Sequence, residues 1–146
     1  MLSVFGVSIS GWLALVLLLG TLTLPYIARH QARVSVGITR SGYYKLLEPH
    51  YLIGYVILIL TLFHLLVSMS AGMARGANLA GLNIATLAFF LLIVQVMVGR
   101  MLREHGKVKF RTGIRRGHFM LMLVIIVLIA IHLEKNSALL AAVLAK

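Results

Sequence analysis

The chain has 146 residues, 61% of them hydrophobic and only 12% charged, with a formal net charge of +11. A mean hydropathy of +1.02 lies well outside what soluble globular domains show and points to one membrane-embedded domain. The lack of cysteine excludes disulfides, c-type haem attachment, thiolate-held iron–sulfur clusters and thiol catalysis, and no phosphate-binding glycine loop of the G-x-G-x-x-G or G-x4-G-K kind is present.

The first apolar run, roughly residues 4–27, lacks a basic start and a small-residue cleavage site, so it reads as a retained span. Pro25 lies near its end, where losing one backbone donor costs little, and Trp12 lies within the run instead of at an interface. Residues 28–47, with Gly37, Gly42, Tyr43 and Tyr44, read as an irregular or short amphipathic connection. A second span covers roughly 49–70; Pro49 suits a first helical turn and Glu48 puts negative charge at the positive end of the helix dipole. The third span covers roughly 79–101, and its polar Gln95 is expected to hydrogen-bond a neighbouring helix. The fourth apolar run, roughly 118–134, is so short that its helix must extend beyond it, and residues 137–146 read as one more short helix. The fold class is therefore all-α, an integral membrane four-helix bundle.

Eleven of the fourteen Lys and Arg residues fall into two groups, Arg29, Arg33, Arg40 and Lys45 after the first span and Arg100, Arg103, Lys107, Lys109, Arg111, Arg115 and Arg116 after the third. A charge of this size in a soluble protein would suggest nucleic acid. Confined to two short loops it indicates topology instead, with the basic loops cytoplasmic, both termini outside and the cytoplasmic membrane as location. The lipid bilayer is the expected partner, and no nucleic acid.

The second span carries His50 and His64, and the fourth His118 and His132; both pairs are fourteen residues apart. Fourteen residues are almost four whole turns, so each pair shares one helix face with about 21 Å of rise between the rings. Spans two and four run in the same direction, which sets His50 level with His118 and His64 level with His132. Each level could give one iron two trans imidazole nitrogens, the second nitrogen of each ring bonding to a carbonyl one turn back. Two b-type haems between the second and fourth helices are the expected cofactors. His30 and His105 lack this spacing and are expected at the surface.

Small residues also recur at a spacing of fourteen, Gly6 with Gly20 and Ala85 with Gly99, which would clear space for a macrocycle, as Gly54 would one turn after His50. Haem propionates need cations. Arg100 and Arg115 are candidates at the His50/His118 level and Arg75 at the other, where cations are scarce.

The two H-x13-H helices and these small residues resemble the four-helix core of the cytochrome b and b6 proteins. The resemblance implies transmembrane electron transfer as the cytochrome subunit of a larger redox complex, with quinone or quinol and a soluble or peripheral donor or acceptor as partners. The later helices and the PEWY quinol-oxidation motif of that family are absent, so no bifurcating site is expected. A histidine-lined divalent-metal or proton transporter, and a ferric-reductase-like membrane reductase, are the alternatives.

Overall fold

A computed structural model describes residues 2–35, 39–73, 79–104 and 111–144, with side-chain surroundings for 9–35, 39, 42–70, 79–103 and 111–135. The chain there is all-helical: α1 (Leu2–Val34), α2 (Arg40–Leu46), α3 (Glu48–Met73), α4 (Leu79–Glu104) and α5 (Arg111–Leu144). Four of these helices are long and apolar enough to cross a membrane.

Two elements run further than their sequences suggest. α1 passes straight through Pro25 and continues to Val34, because a proline removes one hydrogen bond while the following Ala, Arg, His and Gln residues sustain the helix. α5 does not break after Asn136 but forms a single helix to Leu144, about 51 Å long. Residues 137–144 thus extend α5 instead of forming a separate helix, since SALLAAVL holds no Gly or Pro to stop it. The connection after α1 contains the two-turn α2, whose N-cap Thr39 accepts from the Gly42 N–H at 3.3 Å.

α1 packs along α3 and α4 along α5, and the two pairs meet through α3 and α4. Among the described residues α3 and α5 do not pack along their lengths. Leu18, Ile57, Leu92, Met122 and Ile125 form the buried centre, drawn from all four long helices. Ile57 lies seven residues from both His50 and His64, and Ile125 seven from both His118 and His132. Seven residues are nearly two turns, so each helix turns a His-Ile-His stripe to the interior, and the aliphatic layer falls midway between the histidine levels. Trp12, 60% exposed, lies on the outer surface of α1.

The end of the bundle nearest α2 is fastened by arginines. Arg111 at the start of α5 donates to the Tyr44 hydroxyl and lies 5.6 Å from that ring's centroid. Arg103 at the end of α4 stands 5.3 Å above the Tyr51 ring, with its Nη2 3.7 Å from Glu48 Oε1. Tyr44→Phe removes the acceptor for Arg111 and is expected to lower stability by about 1 to 2 kcal/mol, measured as a lower thermal midpoint in detergent.

Candidate functional site: two facing histidine pairs

The rings of His50 and His118 have centroids 6.4 Å apart at an interplanar angle of 69°, and those of His64 and His132 are 6.3 Å apart at 84°. α3 and α5 thus face each other through histidines at two depths. All four rings are partly buried.

Each ring is steadied by a neighbouring helix. α1 serves α3: His50 Nδ1 donates to the Thr21 carbonyl at 3.1 Å, and His64 Nδ1 shares a 3.2 Å hydrogen bond with Ser10 Oγ. α4 serves α5: His132 Nδ1 donates to the Gly81 carbonyl at 3.0 Å, and His118 Nε2 lies 3.3 Å from the Gln95 amide nitrogen. These partners sit on adjacent helices, where a carbonyl one turn back was the simpler expectation. A carbonyl can only accept, so His50 and His132 each carry a proton on Nδ1. Gln95 makes the bond between helices that a polar residue inside an apolar span needs, yet its Oε1 and His118 Nδ1 are buried with no hydrogen-bond partner.

Centroids 6.3 to 6.4 Å apart lie within the ordinary range for neighbouring edge-to-face rings, and leave about the room that one metal between two imidazole nitrogens would need. Among the described residues no group of three or more His, Cys, Asp or Glu side chains could hold a metal ion.

No family model, curated protein or solved structure matches the chain.

At the His50/His118 level there is a cavity of about 330 Å³. Its walls include both histidines, Gln95, Tyr51, Arg100 and Arg103, so two guanidinium-bearing residues border the space next to the rings. Arg115 is exposed and not part of this wall. Arg75 and His105 lie outside the described residues, as do the surroundings of Gly6; His30 is exposed.

Of the predicted small residues, Gly99 lies against a ring: a Cβ there would stand 3.3 Å from His118 Cε1. Gly54 borders the cavity, and a Cβ would meet nothing within 4 Å. Ala85 is half-buried. Gly20 is exposed, and a Cβ there would also meet nothing. The buried stripe of α1 runs Ser10, Ala14, Leu18, Thr21 and Ala28, and Gly20 is turned about 200° from Leu18. The glycine that does abut a ring on this helix is Gly11, where a Cβ would stand 2.8 Å from His64 Cε1. Its signal in the sequence is its place next to Ser10, the one polar residue in that part of the stripe, and not a spacing of fourteen.

Proposed function

We propose that this chain is a multi-pass membrane electron-transfer protein that binds two b-type haems, one between His50 and His118 and one between His64 and His132. The observation that carries the reading is that histidines of α3 and α5 face each other at two depths, with ring centroids 6.4 and 6.3 Å apart. Bound there, the haems would supply reversible iron(II)/iron(III) exchange at two depths. The residues' part would be to offer His50, His64, His118 and His132 as ligands, steadied from α1 and α4, and to set Arg100 and Arg103 where propionates would need charge.

In this reading the basic connections lie on the cytoplasmic side of the inner membrane and both termini outside. The chain serves as the cytochrome subunit of a larger redox complex, with quinone as mobile partner at one face and a soluble or peripheral redox protein at the other. A histidine-lined proton or metal path is disfavoured by the buried aliphatic layer of Leu18, Ile57, Leu92, Met122 and Ile125 that lies midway between the two levels.

A reduced-minus-oxidised visible spectrum with pyridine haemochrome quantification tests the proposal on the wild type and on His64→Ala. Two b-type haems per chain with a sharp low-spin alpha band, falling toward one in the variant, is the expected result. A colourless wild type under adequate haem supply would overturn it.

A further inference from the structure

The helix that steadies His50 contains a proline four residues after the acceptor it offers. In an α-helix the carbonyl of residue 21 receives its hydrogen bond from the N–H of residue 25. Residue 25 is proline, within α1, and has no N–H to give. Its ring also presses on the carbonyl four residues back and tips it away from the helix axis. That carbonyl, on the buried Thr21, is the one to which His50 Nδ1 donates at 3.1 Å. The Thr21 hydroxyl does not compete, since it donates within its own helix to the Leu18 carbonyl at 2.7 Å.

We infer that Pro25 is a positioning residue for His50: by withholding the helical hydrogen bond it releases the Thr21 carbonyl across the α1–α3 interface, where it fixes the imidazole as the Nδ1–H tautomer, the form in which Nε2 would be the ligating atom. A buried acceptor that must either be paired or pay desolvation is a strong constraint on the ring. The acceptor is the backbone carbonyl of Thr21 and not its side chain, so the device is controlled through the backbone donor that position 25 does or does not supply. The tautomer rests on the geometry alone, while its use for ligation rests on the haem reading above.

The test has two readouts. In the haem-free protein, ¹⁵N resonances of labelled histidine report the His50 tautomer, assigned by loss of the signal in His50→Ala. In the haem-loaded protein, redox titration and low-spin electron paramagnetic resonance report the two sites separately. Pro25→Ala restores the N–H and is expected to erode the pure Nδ1–H signature of His50 and to shift one of the two midpoint potentials while leaving the other in place. Incorporating the α-hydroxy analogue of alanine at position 25, which has neither ring nor N–H, is expected to return both readouts toward the wild type. An unchanged His50 tautomer in Pro25→Ala, or identical behaviour of alanine and its hydroxy analogue, would overturn the inference. A wild type that binds no haem would instead defeat the electron-transfer reading and leave the nitrogen resonances to decide the role of Pro25.

Discussion

If each level holds a haem as proposed, Gly11→Ala is expected to empty the His64/His132 level and spare the His50/His118 level, so that pyridine haemochrome analysis falls from about two haems per chain to about one. The added Cβ would stand 2.8 Å from Cε1 and 3.1 Å from Nδ1 of His64, closer than carbon atoms approach without repulsion. His64 cannot stay where it is. Swinging the ring away breaks its 3.2 Å bond to Ser10 and destroys the 6.3 Å spacing to His132. The same substitution elsewhere supplies a graded series. At Gly99 the nearest atom of His118 is 3.3 Å away, so a shift of a few tenths of an ångström suffices, and an altered spectrum with both haems retained is expected. At Gly20 and Gly54 no atom lies within 4 Å, and haem content should equal the wild type. A Gly11→Ala protein with two haems and unaltered spectra would mean that His64 does not ligate from the position it holds here.

Ile125→Ala is expected to cost about 2 to 3 kcal/mol, the largest stability loss of any aliphatic truncation among the described residues. Ile125 is 1% exposed and its neighbours in the buried centre come from every long helix. Large-to-small changes in such sites typically cost about 2 to 5 kcal/mol in soluble proteins. Between helices in lipid the water-transfer part is missing and lost packing remains, which places the value at the lower end. Val127, 57% exposed on the same helix, is the control, and Val127→Ala should change little. Denaturation of both variants in detergent micelles, followed by circular dichroism, measures the difference.

Much of this arrangement is legible in the residues. Four apolar runs of spanning length, and two histidines at a spacing near four turns on each of the second and fourth, fix which ring meets which once alternate helices run in the same direction. What the pattern could not fix was the face of α1. A spacing of fourteen puts Gly6 and Gly20 on one face, but the buried stripe follows Ser10, Ala14, Leu18 and Thr21, a different face of the same helical period. Which face turns inward depends on side chains of other helices. Pro25 shows a second limit. By sequence alone it reads as a tolerated blemish near a helix end, and its significance depends on which atom stands beside the carbonyl it leaves unbonded. The unbroken run of α5 past Asn136 shows a third, since a polar Glu-Lys-Asn triplet interrupts hydropathy without interrupting helix propensity.

The two halves of the bundle, α1 with α3 and α4 with α5, are joined by α3–α4 packing and by facing rings. Each ring pair takes one member from each half. A ligand seated between two such rings therefore binds the assembled chain and neither hairpin alone, and at a hundredfold excess over its dissociation constant it stabilises assembly by about 2.7 kcal/mol. Under the haem reading, iron and porphyrin supply would then govern how long the protein survives in the membrane: cofactor-starved cells would accumulate loosely docked hairpins exposed to quality-control proteases, and turnover of the chain would follow haem availability before any change in its synthesis.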